Sequence, residues 1–365
     1  MTNERRRCLI IAEAGVNHNG SLDVAHRLVD AAADAGADAV KFQTFRAEQL
    51  ASRMAPKAAY QARETGNGQS QLDMLRALEL SEPAHRELMQ HCTERGIEFM
   101  SSPFDTGSLE FLVSLGVRRI KLGSGELTNA PMLLEVAQTG LPLILSTGMS
   151  TLAEVEAALG VLAFGYAQSG TPPSRTAFRA AWADVSARAE VLRKLSLLHC
   201  TTEYPAPREQ VNLSAMQTLR AAFGVTCGYS DHTEGFAVSL AAVALGASII
   251  EKHFTLDRSL PGPDHKASLE PASLKALVDC VREVEDALGD GAKVPMPAEI
   301  PNMAVARKSL VAARPIARGE VITKEALTVK RPGSGLSPFD YWEVLGSKAW
   351  KSFAPDELID PAGKE

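Results

Sequence analysis

Residues 140–162 read GLPLILSTGMSTLAEVEAALGVL, and this stretch contains one full repeat of the pattern that decides the fold. A glycine that ends one helix precedes a short apolar run, a polar turn (STG) and a segment with apolar residues at helical spacing. The apolar run lacks alternating polar residues, which is typical of a parallel strand buried on both faces. The stretch therefore predicts one strand–helix unit of an α/β protein.

The same unit recurs along the first 285 residues. Helices are predicted between the strands, for example over residues 22–35, 81–95, 131–139, 152–162 and 236–245. Strands are predicted at residues 8–12, 39–42, 98–101, 119–122, 143–146, 196–199, 226–228 and 248–252. Eight units of this kind predict a (β/α)₈ TIM barrel, which typically has about 250 residues.

The C-terminal part of the chain departs from this pattern. We expect the barrel domain to cover residues 1–288, a linker residues 289–303 (beginning GDGAKVPMPAEIP) and a small β-rich domain residues 304–365. A domain of about 60 residues builds only a marginal core, so we expect it to pack on another surface, such as a neighbouring subunit. Residues 46–80 and 164–194 are long insertions in the barrel, which we expect to be surface elements or subunit contacts.

Composition excludes several classes of protein. The chain has 365 residues, a formal net charge of −6 and no Lys/Arg block beyond residues 5–7, which argues against a nucleic-acid partner. It has no run of eighteen apolar residues and no N-terminal secretion signal. Its five cysteines are scattered and form no C-x-x-C pair, which favours reduced thiols. We therefore expect a cytoplasmic protein without a membrane partner.

Polar side chains follow every predicted strand, where a TIM barrel builds its active site. Lys41 and Lys121 are expected to converge on one pocket and to form an anion cradle with nearby hydroxyl groups. These hydroxyls belong to Ser102, Ser124, Ser146 and Ser230. Two alternatives stay open, since each lysine could form a structural ion pair, or one could form a Schiff base.

Two histidines close neighbouring strands. His232 and His253 can reach a common point, and the carboxylates of Glu13 and Asp231 are expected nearby. Imidazole and oxygen ligands suit a divalent ion with open positions for substrate. The alternative is a pair of hydrogen-bonded structural histidines. A Gly-Pro turn in the loop after strand eight is expected to present Asp264 over the mouth.

The strand-end strings together resemble the sialic acid synthase family of bacterial enzymes. They occur in the family's order and span nearly the whole chain; they are IAEAGVNHNGS, KFQTF, SSPFD, KLGSGEL, LSTGMS, HCTTEYPAP, GYSDHT, EKHFTLD and GPDHKAS. The string VKRPGSG near the C-terminus resembles the antifreeze-like domain that ends members of this family.

The resemblance implies a metal-assisted condensation of phosphoenolpyruvate with an N-acetylated mannosamine-type sugar in its open aldehyde form, with release of phosphate by C–O cleavage. It implies that Mn²⁺ or Mg²⁺ is bound by His232 and His253, and that Glu13 or Glu126 handles a water molecule. Phosphoenolpyruvate would be held by Lys41, Ser102, Lys121, Ser124, Ser146, Thr202 and Ser230. The sugar would be held by Gln43, Glu126, Tyr204 and Asp264, and by Arg331 of a partner subunit in a domain-swapped homodimer.

The resemblance leaves the sugar open. N-acetylmannosamine, giving N-acetylneuraminate, is the main expectation. The alternative is 2,4-diacetamido-2,4,6-trideoxymannose, giving N,N'-diacetyllegionaminate, and the apolar Phe42 and Phe45 mildly favour such a deoxy sugar. A Schiff-base aldolase that uses Lys41 or Lys121 is a remote alternative.

Overall fold

The computed structural model describes residues 7–52, 54–57, 70–168 and 170–360. The chain forms two compact units, Met1–Gly289 and Asp290–Glu365. Each has its own apolar core.

The first unit is built on an eight-stranded parallel sheet, as the sequence predicts. Its strand order is β3-β2-β1-β8-β7-β6-β5-β4, and β3 and β4 lie in contact at the two ends of this order, so the sheet curls into a barrel. The strands are β1 Leu9–Gly15, β2 Ala39–Thr44, β3 Glu98–Pro103, β4 Ile120–Leu122, β5 Leu143–Ser146, β6 Leu195–His199, β7 Thr226–Asp231 and β8 Ile249–His253.

Helices surround the barrel and begin at ordinary capping residues. Ser21 and Ser81, for example, accept hydrogen bonds from the backbone of the first helical turn that follows. The helices of this unit are α1 Leu22–Asp34, α2 Ala47–Leu50, α3 Gln71–Leu78, α4 Glu82–Glu94, α5 Thr106–Leu115, α6 Ala130–Gln138, α7 Leu152–Tyr166, α8 Arg175–Ala183, α9 Val185–Lys194, α10 Ala215–Phe223, α11 Ala237–Ala244 and α12 Pro271–Ala287. Within the described ranges, none of the helices combines the length and apolar character that crossing a bilayer requires.

The interior of the barrel has an apolar layer and a polar layer above it. The apolar layer consists of Ile11, Ala39, Met100, Ile144, Leu198 and Ile249. Side chains on one face of a strand recur every two residues. Two positions further along the chain are Glu13, Lys41, Ser102, Ser146 and Glu251, which lie in the same strands, and Cys200, which directly follows β6. The hydrophobic plug of the barrel is therefore also the support beneath the polar groups at its mouth.

The two insertions behave differently from each other. Residues 164–194 extend α7 and add α8 and α9, and α8 packs on α7 through Phe164 and Phe178, whose ring centroids are 5.3 Å apart. The described part of residues 46–80 forms α2 and α3 around a second apolar cluster. The first insertion is expected to be a surface element or a subunit contact; it has exposed residues such as Met54, and several of its other side chains line the cavity described below.

The second unit contains a small antiparallel sheet. β9 Ser309–Ala312 pairs with β10 Leu327–Lys330, and α14 Tyr341–Val344 follows. Its core is built around Leu310, Ile316, Ile322 and Phe353. The expected linker is partly helical, because α13 Ile300–Ala306 begins inside it.

Candidate active site

A cavity of about 330 Å³ opens at the carboxyl ends of the barrel strands. It gathers most of the residues that the sequence singled out, although these come from every part of the barrel domain. The predicted residues that line it are Glu13, Lys41, Gln43, Ser102, Lys121, Ser124, Ser146, Thr202, Tyr204, Ser230, His232, His253 and Asp264.

The floor of the cavity is a cluster of four buried charged groups. Lys41 Nζ lies 2.6 Å from Glu13 Oε2 and 3.7 Å from Glu251 Oε2, and Lys121 Nζ lies 3.4 Å from Glu251 Oε1. Glu251 therefore lies between the two ammonium groups. Each of these groups alone would be expensive to bury, so the cluster persists because opposite charges alternate.

Hydroxyl groups complete this cluster. Lys41 donates to Ser102 Oγ at 3.2 Å and Lys121 donates to Ser146 Oγ at 2.9 Å. Ser230 donates to Glu251 Oε1 at 2.8 Å. The two cations are thus held at fixed positions, each with a hydroxyl beside it that can turn toward an anion in the cavity.

The environment separates the titration of these groups. Burial raises the pKa of Glu13 to about 7, although Lys41 opposes this. For Glu251 burial also acts upward, but Lys121 and Lys41 outweigh it and lower the pKa to about 2. Burial lowers the pKa of Lys121, with Glu251 opposing, whereas Glu13 and Glu251 together overcome burial and raise the pKa of Lys41.

The two predicted metal ligands lie side by side. The ring centroids of His232 and His253 are 5.6 Å apart. His232 Nδ1 is 2.7 Å from the carbonyl oxygen of Thr201, which can only accept a hydrogen bond, so Nδ1 carries the proton and Nε2 keeps its lone pair. His253 Nδ1 is buried and has no hydrogen-bond partner among the described residues.

These imidazoles are neutral, because burial lowers the pKa of His232 to about 4 and that of His253 well below its usual value. Neutral rings with available nitrogens fit a divalent ion. Among the described residues, no group of three or more His, Cys, Asp or Glu side chains forms a complete site. Such an ion would therefore keep positions open for water or substrate oxygens.

Three further polar or aromatic side chains lie in the lining of the same cavity. The ring of Tyr204 lies over His232, with centroids 4.2 Å apart, and Asp264 Oδ2 is 3.8 Å from His253 Nδ1. Gln43 donates to Glu13 Oε1 at 3.4 Å. The mouth thus offers an aromatic face, a carboxyl group and an amide within one pocket, a set suited to a polyhydroxylated molecule.

Ser124 and Thr202 lie against the strand-five turn. Ser124 Oγ accepts a hydrogen bond from Gly148 N at 2.9 Å. A Cβ at Gly148 would lie 2.3 Å from Thr202 Oγ1, so this close approach requires glycine. Thr202 Oγ1 is buried and has no hydrogen-bond partner among the described residues, which leaves it available to a ligand.

Three residues that the sequence predicts at the site are not among those that line the cavity. Asp231 pairs with Lys252 at 3.3 Å and does not line the cavity, so it is not directed at the metal site as expected. Glu126 is half-buried in the turn after β4, where it accepts a hydrogen bond from Asn129, and it does not line the cavity. Arg331 lies in the second unit, where its Nε donates to the carbonyl of Ala306, and its contact with a partner subunit stays a prediction.

Sequence reasoning gave no role to Glu251, although this residue links both lysines. The signal was present in the string EKH: if His253 points into the barrel, Glu251, two residues earlier, points there too. The same rule places Asp231 on the outside, because it lies between the inward-facing Ser230 and His232. The lining residues of α2 and α3 had no comparable signal.

Comparisons with known proteins show the family of the chain. The model of the NeuB family matches residues 28–293, and that of the SAF domain matches residues 307–363. The N,N'-diacetyllegionaminic acid synthase of Campylobacter jejuni is 48% identical over 97% of this chain and 99% of its own length. The enzyme of the same name from Legionella pneumophila is 47% identical over 93% of this chain and 90% of its own length.

A solved structure of a sialic acid synthetase is also similar to this chain. The N-acetylneuraminic acid (sialic acid) synthetase of Leptospira borgpetersenii, crystallised with citrate, is 32% identical and superposes with a TM-score of 0.65 over 81% of this chain and 90% of that one. These matches confirm the resemblance found in the strand-end strings. The chain is an enzyme that belongs to the NeuB family of synthases, with a SAF domain after its TIM barrel.

Proposed function

We propose that this enzyme is an N,N'-diacetyllegionaminic acid synthase, which condenses phosphoenolpyruvate with the open-chain aldehyde of 2,4-diacetamido-2,4,6-trideoxymannose. The observation that carries the proposal is the convergence of Lys41 and Lys121 on Glu251 at the cavity floor, beside two neutral imidazoles. The relatives in Campylobacter and Legionella support the diacetylated deoxy sugar. The main sequence-based expectation, N-acetylmannosamine, has less support than this alternative.

In this proposal the two lysines hold the phosphate and carboxylate groups of phosphoenolpyruvate. Ser102 and Ser146 already contact the two ammonium groups, and the hydroxyls of Ser124, Thr202 and Ser230 lie around the same floor. Charge-assisted hydrogen bonds of this kind are short and strong in a site shielded from water. The ammonium groups also stabilise the charge that grows on the departing phosphate.

Gln43, Tyr204 and Asp264 would orient the sugar so that its aldehyde carbon faces the methylene carbon of phosphoenolpyruvate. A divalent ion held by His232 and His253, Mn²⁺ or Mg²⁺, would supply Lewis acidity at the sugar carbonyl. The methylene carbon bonds to the aldehyde carbon, and the aldehyde oxygen takes up a proton. Water adds to the enol carbon, whose C–O bond to phosphate then breaks to give the 2-keto acid and inorganic phosphate.

We assign the activation of this water molecule to Glu13 rather than to Glu126. Glu13 lies on the cavity floor beside Lys41, whereas Glu126 lies outside the cavity lining and is bonded to Asn129. A general base must lie within hydrogen-bond reach of the proton that it takes.

Arg331 and a domain-swapped homodimer, which the family resemblance implies, belong to the same proposal.

Incubation with phosphoenolpyruvate, Mn²⁺ and a panel of sugars, followed by mass spectrometry and a phosphate assay, tests the proposal. We expect phosphate release and a diacetyllegionaminate mass with the trideoxy sugar, at higher kcat/KM than with N-acetylmannosamine. A preference for N-acetylmannosamine would restore the first expectation. Borohydride trapping of a covalent adduct on Lys41 or Lys121, with activity that survives a chelator, would instead support the Schiff-base aldolase.

A further inference from the structure

The cavity has two chemically different sides. Its floor carries the charged and hydroxyl groups described above, whereas one side is lined by the first insertion of the barrel. Apart from Gln71, the described lining residues of that insertion are apolar, namely Leu50, Ala51, Met74, Leu75 and Leu78. We call Leu50, Met74, Leu75 and Leu78 the apolar wall.

The apolar wall is a packed structure with its own core. Met74, Leu75 and Leu78 are buried members of one cluster with Leu72 and Phe45. Phe45 meets Phe104, which also lines the cavity, edge to face with ring centroids 6.2 Å apart. Side chains held in this way present a fixed shape, so they can discriminate between ligands that differ by one small group.

The terminal carbon of the substrate proposed above matches this surface. Its aldehyde must lie at the floor beside phosphoenolpyruvate, and its hydroxyl and acetamido groups require polar partners. Carbon 6, at the opposite end of the chain from the aldehyde, is a methyl group without a donor or an acceptor. An apolar surface at the side of the cavity is complementary to such a methyl group.

We propose that the apolar wall is the specificity-determining surface of this synthase and binds the C6 methyl group of the sugar. This inference rests on the proposed function, since it names which part of that substrate the wall recognises. It also gives the first insertion a role in selecting the substrate.

A hydroxyl at C6 would lose its water against the apolar wall, and the leucine side chains of the wall offer it no hydrogen-bond partner. Apolar pockets reject an added hydroxyl by about 10²-fold in kcat/KM, and we expect a preference of that order. A phosphate at C6 would be rejected more strongly, because the described residues of the wall carry no positive charge.

The test uses two sugars that differ only at C6, namely 2,4-diacetamido-2,4,6-trideoxymannose and its 6-hydroxy counterpart. Phosphate release gives kcat/KM for each. Leu75→Ala removes methyl contacts and admits water beside C6, so the ratio of the two values should fall about tenfold. Leu50→Gln, at the half-buried end of the wall, should lower the ratio in the same direction and guards against a Leu75 variant that fails to fold.

Leu72→Ala is the matched control. Leu72 belongs to the same helix as Leu75 and is buried to a similar degree, since the exposed fractions of the two residues are 7% and 9%. Unlike Leu75, it does not line the cavity. It should lower the thermal unfolding midpoint as Leu75→Ala does, but it should change the sugar ratio less than Leu75→Ala does, because it removes no surface that lines the cavity.

The outcomes separate the two proposals. The wall assignment is overturned, and the proposed function retained, if the enzyme turns over the trideoxy sugar normally but kcat/KM is nearly the same for its 6-hydroxy counterpart. The same conclusion follows if Leu75→Ala and Leu50→Gln both leave the ratio of these two values unchanged. A wild-type preference for the 6-hydroxy sugar also overturns it and points to Gln71 as a hydroxyl partner. If Leu75→Ala instead changes the preference between sugars with and without the C4 acetamido group, the wall binds that acetyl methyl and the assignment is wrong. Absence of condensation with any sugar rejects the proposed function itself.

Discussion

Two buried carboxylates, Glu251 and Asp231, lie on neighbouring strands, and each has a buried lysine partner. Glu251 is on the inner face of the barrel wall and Asp231 is on its outer face. Glu251 points into the barrel interior between Lys41 and Lys121. Asp231 points outward to Lys252, and the exposed side-chain fractions of this pair are 0% and 1%. The sequence neighbours Glu251 and Lys252 therefore belong to different networks.

The difference lies in how completely each network is closed. Both oxygens of Asp231 accept hydrogen bonds, from Thr233 and from Ser239, and Lys252 also donates to the carbonyl of Thr233. The inner network lines a cavity and has lysines, hydroxyls and imidazoles directed at it. A closed buried network stabilises one structure, whereas an open one can receive a ligand.

The largest effect is expected from breaking the inner network. Lys121→Met removes a cation that we assign to phosphoenolpyruvate, and loss of one preorganised charge partner typically lowers kcat by about 10²–10³-fold. We expect kcat/KM for phosphoenolpyruvate to fall by about 10³-fold, measured by phosphate release at saturating sugar. A loss smaller than about tenfold would contradict the role of this lysine.

Lys252→Met breaks the outer network and should affect stability instead. It leaves Asp231 buried without its cation, which typically costs about 3–5 kcal/mol. Urea unfolding should show this loss, while kcat per folded molecule stays within a few-fold of wild type. The double variant Asp231→Asn with Lys252→Met should recover part of the stability. A stable Lys252→Met variant with lost turnover would reverse the comparison.

His18 provides a third case, a buried imidazole near two other histidines, His85 and His265. Burial, with smaller contributions from His85 and His265, lowers its pKa to about 4. Between pH about 6.5 and about 4 the unfolded chain then binds more protons than the native one, so stability falls as the pH is lowered. This group should contribute a loss of about 3 kcal/mol across that window.

Urea unfolding at several pH values, for wild type and His18→Gln, measures this contribution. The variant should start less stable at pH 7 and lose less stability on acidification. Curves that run parallel from pH 7 to pH 4.5 would show that His18 does not titrate between the two states.

The smallest effect is expected at Phe42, which the sequence associated with a deoxy sugar. Phe42 is fully buried outside the barrel interior and stacks on Phe99, with ring centroids 6.0 Å apart. Phe42→Leu should lower stability by about 1 kcal/mol and leave the ratio of kcat/KM for the 6-deoxy and 6-hydroxy sugars unchanged. A clear shift in that ratio would mean that the outer layer controls sugar choice.

The barrel and most of its mouth could be predicted because both depend on local patterns. Apolar runs such as LILS mark the strands, and the residue after each run lies at the functional end of a TIM barrel. Lys41, Lys121, His232 and His253 were found in this way. Asp231 and Glu251 require a second rule, the two-residue alternation of side chains along a strand, which places Asp231 outside the barrel and Glu251 inside it.

The apolar wall could not be predicted from local patterns. Leu75 reaches the cavity because α3 packs on Phe45 and Phe104, which are distant in sequence, and the apolar residues of a short helix look the same whether they face a core or a ligand. Arg331 raises a different question, because its predicted role depends on a second subunit.

Titration calorimetry with phosphoenolpyruvate tests the central claim most directly, since it measures binding at the inner network without turnover. Wild type and Lys252→Met should bind with the same Kd, and Lys121→Met should bind about 10–100-fold more weakly, as expected for loss of a charge-assisted contact. If Lys121→Met binds as tightly as wild type, or if both variants weaken binding equally, the inward-facing lysines are not the anion site and the proposed division between the two networks is wrong.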